Sequence, residues 1–438
     1  MRIQAPPGMR DFYPEDMRQQ NWLLERWRSV ARRFGFVEYE GPIFEFYDLY
    51  AAKSGPQILG ELFRFRDRGG RALAIRPEMT PTLARMVAAR AGALPRPIKW
   101  FSLPRMCRAE KPQRGRLREF FQWNVDILGV DDPLADAEVI AVAAAFLREV
   151  GLGPSDVAIR INSRPLAGAA LEQLGIERGR AEQAFHLIDR FERLPPEQFR
   201  KQWDDAFGPR VSGAAIMALL RDTTRAQALE IAGRAGPDDA TGVAAIRALW
   251  DRLGQLGVAE YCAFDLKVVR GLAYYTGIVF EAHAQKGDLR ALLGGGRYDD
   301  LTGMLGGPRL PGVGFGMGDA PVLECLKELG KLPTLSEQLD VFLIDADESL
   351  FPKVLEIASR LRQSGLSVDF SYKRAAVSKQ FKQAADRQAA YAVVVGAELA
   401  ERGLLTVKDL RSGRQGGLAS ESFLNDPPAA LRALETQR

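Results

Sequence analysis

The sequence predicts an α+β protein built on an antiparallel sheet, interrupted by an all-helical insertion and followed by a smaller α/β domain with a largely parallel sheet. Three observations carry this expectation. FFQWNVDIL, residues 120 to 128, alternates with period two, as a strand with one face in a core does. From about 165 to 260, Ala, Leu, Arg, Glu and Gln dominate and strand signals nearly vanish. Beyond residue 338, apolar strand-like runs and helical stripes alternate as β-α-β-α-β.

The elements follow in order. After DFYPED, Leu23, Trp27, Val30 and Phe34 have helical spacing, and Gly35 ends that helix. Short strand-like runs follow, with DRGGR at 67 to 71 as a hairpin turn. In the 120–128 strand, Phe121, Trp123, Val125 and Ile127 share the apolar face. Phe120, Gln122, Asn124 and Asp126 share the other. After the insertion, FDLKVV and GIVFEAH read as strands, LLGGGRYDDL as glycines before a charged turn, and GVGFGMGDAPVLECLKEL as a strand leading into a helix. KLPTLSEQ, 331 to 338, reads as a linker. In the last part LDVFLIDA is a buried strand, Leu350, Val354, Ile357 and Leu361 form a helical stripe, LSVDFSY alternates, and YAVVVGA is a third strand. The expected division is 1–164 and 261–330 for the first domain, 165–260 for the insertion, 331–338 for the linker and 339–438 for the last domain.

Composition narrows the function classes. With 46% hydrophobic and 26% charged residues the 438-residue chain is globular, and a net charge of +4 is too mild to announce nucleic-acid binding by itself. Three scattered cysteines, Cys107, Cys262 and Cys325, with no C-x-x-C, argue against a disulfide framework or a zinc site and suit a reducing compartment. The N-terminus lacks an apolar signal core, and the longest apolar run, VIAVAAAFL, is far short of a membrane span. A cytosolic protein is expected, with no membrane partner. His186 and His283 are the only histidines; His186 reads as a helix-surface residue and His283 is given no role.

RAEKPQRGRLREFFQ, 108 to 122, places five basic side chains around Pro112 and Gly115, then two aromatics and Gln122. Two readings stay open on the residues alone. One is a solvated charge run. The other is a phosphate clamp, since arginine forks match phosphate oxygens, at the mouth of a ligand platform where Phe120 offers a flat face to a purine.

MCRAEKPQRGRLREFFQ resembles motif 2 of class II aminoacyl-tRNA synthetases, in the form carried by the histidyl-tRNA synthetase family. Further segments resemble that family in order: PPGMRDFYP, the N-terminal signature; FGFVEYEGPIFE, motif 1; RPEMTP, an amino-acid-binding loop; VVRGLAYYTGIVFE, a histidine-specific motif; GGGRYD; GVGFGMG, the start of motif 3; and 340–438, an anticodon-binding domain.

The resemblance implies ATP-dependent activation of L-histidine and transfer to tRNA(His), with Mg²⁺ accompanying ATP, no prosthetic group, no metal held by the protein alone, and a homodimer through motif 1. It implies that Glu78, Thr80 and Gln122 hold the α-amino group of histidine, and that Asp126 and Tyr275, with Tyr274 beside them, read the imidazole. Arg108 and Arg270 are the implied catalytic cations. Arg108, Glu110, Arg116 and Phe120 are implied to bind ATP. Gln113 and Arg114 would meet the tRNA acceptor end, and Lys379 and Lys382, amid Lys373, Arg374 and Arg387, the anticodon end. The chain departs from the family pattern at Met79, Ala273 and Pro321, the last standing where motif 3 normally carries an arginine. Two alternatives share the resemblance: a regulatory subunit of ATP phosphoribosyltransferase, which typically lacks the last domain, and a sensor paralogue of histidine or tRNA that has lost the chemistry.

Overall fold

The computed structural model describes residues 4–436 apart from 52–58, 209–210, 239, 273, 288 and 337; Ala273 therefore lies outside the described residues. The chain divides into two compact units, Met1–Pro333 and Thr334–Arg438.

Among the described residues, the first unit is built on a nine-stranded sheet. Its path runs Val37–Glu38, Ile98–Ser102, Glu119–Leu128, Gly312–Gly318, Leu293–Arg297, Ile278–Ala284, Val157–Ser163 and Cys262–Phe264, with Arg105–Cys107 pairing beside Glu119–Leu128. The interior pairings are antiparallel, as the alternating pattern predicts, and the two edge pairings are parallel. Trp123, Val125 and Ile127 enter the core. There Trp123 stacks on Trp27 of the Pro14–Arg33 helix at 5.9 Å. That helix starts at Pro14, whose missing N–H costs nothing at this position, and Gly35 beyond its end takes a φ of +76°. Pro133–Glu149, which contains VIAVAAAFL, packs against the sheet, the first helix and Val243–Gln255. Asp132 caps it by accepting from Leu134 N at 2.7 Å.

Between Ser163 and Cys262 the described residues form helices and turns without a strand. Phe185, Phe199 and Trp203 from this stretch belong to the same core as the sheet. DRGGR is the turn of an antiparallel hairpin, Arg64–Arg66 with Ala72–Ile75.

One local expectation is corrected and another extended. FDLKVV is strand only to Phe264; Asp265 then accepts from Val268 N and Lys267 N and turns the chain. The glycines of LLGGGRYDDL precede a bend at Asp299–Asp300, as read, but they also form a central strand, Leu293–Arg297, between two neighbours.

The second unit has a five-stranded sheet among its described residues, ordered Val368–Phe370, Val341–Asp345, Tyr391–Val395, Leu404–Asp409 and Gln415–Ala419. The first three are parallel and match the β-α-β-α-β expectation. The last two are antiparallel additions beyond that expectation. Gln380 ties the Val377–Asp386 helix to the sheet, accepting from Asp345 N at 2.9 Å and donating to Asp345 O at 2.7 Å.

Candidate active site

The polar face of Glu119–Leu128 opens into a cavity of about 1000 Å³ in the first unit. Its floor is unusually bare backbone. A Cβ at Gly294 would strike the Arg270 guanidinium, and one at Gly314 the Asp126 carboxylate. One at Gly316 would lie 2.7 Å from Gln122 Nε2. Glycine at these three places is what lets long polar side chains lie across the sheet.

Residues from separate segments line this cavity together: Glu78 and Thr80, at the start of the Thr80–Arg90 helix; Phe120 and Gln122, on the long strand; and Tyr274 and Tyr275. Glu78 is 5% exposed and accepts the Tyr274 O–H at 2.7 Å. Burial raises the pKa of both tyrosines, so their hydroxyls stay protonated.

The loop at 108–118 is folded tightly. Gln113 and Arg116 exchange both backbone hydrogen bonds at 2.9 Å, with Gly115 at φ +69° in the turn between them. Arg108 donates to Pro77 O at 2.9 Å and lies over the Phe120 ring, 5.3 Å from its centre, so one face of that ring carries a cation. Arg116 pairs with Glu110 and, at 3.2 Å, with Glu61. Its pKa is pushed down to about 10, first by burial and then by Arg290, with Glu61 opposing. Glu110, expected near an adenine amine, is thus committed to Arg116. Arg114 turns outward, 62% exposed, to Glu328.

Arg270 has a left-handed φ of +58°, a costly conformation for a side chain with a Cβ. It pairs with Glu281, whose other oxygen meets His283 Nε2 at 2.8 Å. Burial alone would raise the Glu281 carboxyl, but Arg270 and then His283 outweigh it and hold it at about 2.

Asp126 is 2% exposed and its carboxylate lies over Gly314 on the cavity side of the sheet. Its Oδ1 accepts the O–H of Tyr298 at 2.6 Å, and Tyr298, equally buried, lines the cavity. Burial pushes the Asp126 carboxyl up to about 7.

No group of three or more His, Cys, Asp or Glu able to hold a metal occurs among the described residues. In the second unit, considered by itself, Lys379 and Lys382 are exposed on one helix.

Comparison with known proteins places the chain. A family model for histidyl-tRNA synthetase matches residues 8–320, and an anticodon-binding-domain model matches 338–426. The chain belongs to the histidyl-tRNA synthetase family. It is 40% identical over 411 residues to a histidine–tRNA ligase of Opitutus terrae, covering 93% of this chain and 94% of that one. It is 37% identical over 413 residues to the chloroplastic/mitochondrial histidine–tRNA ligase of Arabidopsis thaliana, covering 94% and 84%. The crystal structure of histidyl-tRNA synthetase from Nostoc sp. PCC 7120 superposes with a TM-score of 0.80 at 25% identity, covering 98% of this chain and all of that one. As a member of the histidyl-tRNA synthetase family the chain is an aminoacyl-tRNA synthetase, and the regulatory-subunit alternative is not favoured.

Glu61, Glu281, His283, Arg290 and Tyr298 line the cavity but were not singled out from the sequence. Glu281 and His283 were findable: they alternate with Phe280 and Ala282, which enter the core. Tyr298 sits in GGGRYD. Arg290 lies in an irregular connection with no periodic signal.

Proposed function

We propose that the chain activates L-histidine with ATP to histidyl-adenylate and transfers the histidyl group to the 3′ end of tRNA(His). ATP enters as its Mg²⁺ complex, and no prosthetic group takes part. The observation that carries this reading is the single cavity in which Glu78, Thr80 and Gln122 meet Arg108, Arg116 and Arg270. A carboxylate beside a hydroxyl and an amide suits an α-ammonium group, and guanidinium groups suit a triphosphate.

The chemistry needs no general base, because the histidine carboxylate is already ionised. A carboxylate oxygen attacks the α-phosphorus, the bond to pyrophosphate breaks, and the adenylate forms. The protein brings two anions in line and absorbs their charge. Arg108 and Arg270 are the proposed catalytic cations. Phe120 keeps one face for adenine, and Glu110 with Arg116 closes the ATP side. Tyr274 orients Glu78. The imidazole meets Asp126 and Tyr275, with Tyr298 holding the Asp126 carboxyl in place. A site of buried polar groups discriminates strongly, since an incorrect ring leaves them unpaired.

We assign catalysis to 1–164 and 261–330, with 165–260 as the insertion and 331–338 as the linker. Residues 339–438 carry the anticodon contacts through Lys379 and Lys382. Gln113 and Arg114, at the loop tip, reach the acceptor end. A cytosolic homodimer is supported by cysteine usage and by exposed Val37, Ile43 and Phe44 in motif 1 and Phe46 just beyond it. Described residues contain no helix long and apolar enough to cross a membrane. Histidine-dependent ATP–pyrophosphate exchange, followed by charging of tRNA(His), tests the reading.

A further inference from the structure

The arginines around the cavity differ in how their charge is met. Arg116 is paired with Glu110 and Glu61, Arg270 with Glu281, and Arg114 with Glu328. Among the described residues the Arg108 side chain meets only Pro77 O and the Phe120 ring, and Arg290 is likewise without a carboxylate partner. Arg290 stands in the connection between Ile278–Ala284 and Leu293–Arg297 and reaches the cavity from the side facing the 108–118 loop. Its Nη2 donates to the side-chain oxygen of Gln113 at 2.6 Å, a neutral partner. Among the described residues it makes no ion pair. Arg193, lining the same cavity, repels it, and Arg290 in turn lowers the pKa of Arg116; for Arg290 itself burial comes first in lowering the pKa, then Arg193, with Glu61 opposing.

On the other side of the loop, the start of Asp319–Glu328 supplies no cation. Pro321, in the first turn of Asp319–Glu328, faces the loop tip: a Cβ at Gly115 would lie 3.8 Å from Pro321 Cα. Proline brings neither a donor nor a cation. A half-buried guanidinium among like charges, bonded only to an amide, is electrostatically unfavourable until a multiply charged anion arrives.

We propose that Arg290 binds the β- and γ-phosphates of ATP, and the pyrophosphate that leaves, closing the phosphate end of the cavity from the side opposite Pro321. This rests on the ATP-dependent activation proposed above. The Gln113 bond holds the guanidinium in place, and the phosphates take the N–H groups that Gln113 does not.

The test compares the full-length protein with Arg290→Ala, Arg290→Gln and Arg290→Lys in histidine-dependent ATP–pyrophosphate exchange, without tRNA. AMP, which lacks the β- and γ-phosphates, serves as a competitive probe. Removing a charge-assisted phosphate interaction predicts an about 10- to 100-fold higher KM for ATP and for pyrophosphate in the Ala and Gln variants. The histidine KM and the AMP inhibition constant stay unchanged, and Lys restores most of the ATP affinity. Gln keeps a polar amide but no charge, so a Gln variant with the wild-type ATP KM overturns the proposal. AMP binding weakened as much as ATP does so too, as does normal exchange with only tRNA charging impaired, which would put Arg290 on RNA. Wild-type exchange decides the underlying function separately: an active wild type with unaffected variants removes Arg290 alone, and an inactive wild type removes both.

Discussion

Tyr298 donates its phenolic O–H to Asp126 Oδ1 at 2.6 Å, the tyrosine lining the cavity and the carboxyl lying over Gly314 of its floor. The pair links the sheet floor to substrate recognition. Tyr298→Phe removes the hydroxyl and keeps the ring, so the histidine KM should rise more than the ATP KM. Steady-state exchange kinetics measure both, and an equal rise in the two would make the pair a general support of the cavity.

The same pair predicts a pH dependence of stability. The Asp126 carboxyl sits at about 7 in the folded protein against 3.8 for a carboxyl in water. Between those values the folded state binds the extra proton, so stability falls as pH rises through that window and levels off above it. Asp126→Asn removes this slope. Relative to wild type, the variant should gain stability between about pH 4 and 8, with an upper limit of about 4 kcal/mol. Denaturant midpoints across that range measure it, and parallel curves for the two proteins would contradict it.

Arg270 is held across Gly294 by Glu281, which His283 holds in turn. Arg270→Ala should reduce exchange about 10²- to 10³-fold, the cost of removing one preorganised charge interaction. Arg270→Lys should recover little, because one ammonium cannot span Glu281 and a substrate oxygen as a planar fork does. An unchanged rate in the Ala variant removes Arg270 from the mechanism.

How much of this was legible in the sequence depended on periodicity. Trp123 and Gln122 could be assigned to opposite faces because strands alternate, and both faces are as read. The Gly294–Gly296 strand was missed because glycines carry no alternation; only the packing of Arg270, Phe280 and Tyr275 against them explains why they are there. Asp126 was placed on the polar face, but its hydrogen bond to Tyr298 was not legible, since that partner lies far along the chain. Gln415–Ala419 escaped notice for the same reason as the glycine strand, with two glycines and one leucine in five positions. Glu110 and Arg116 were read as independent ligand contacts, although the fold of their own loop pairs them.

Exposed Lys379 and Lys382 predict an RNA effect separate from adenylate formation. In full-length protein, charge reversal at both should leave exchange intact and lower tRNA charging. The salt slope of tRNA binding should become shallower, by about 0.7 for each single-strand phosphate no longer neutralised. Charging equal to wild type would remove this helix from the RNA surface.

Phe44 and Phe46 are exposed beside Val37 and Ile43. A dimer through this surface predicts a sedimentation mass of twice the chain, falling to one chain on Phe44→Glu. A monomeric wild type at micromolar concentration would contradict it.

The central claim is tested most directly by pyrophosphate exchange into ATP, measured on the full-length protein with each of the standard amino acids in turn. The account predicts exchange with L-histidine, none above background with the others, and loss of the histidine signal in Arg270→Ala. Exchange that is absent with histidine, or that appears equally with another amino acid, would contradict it.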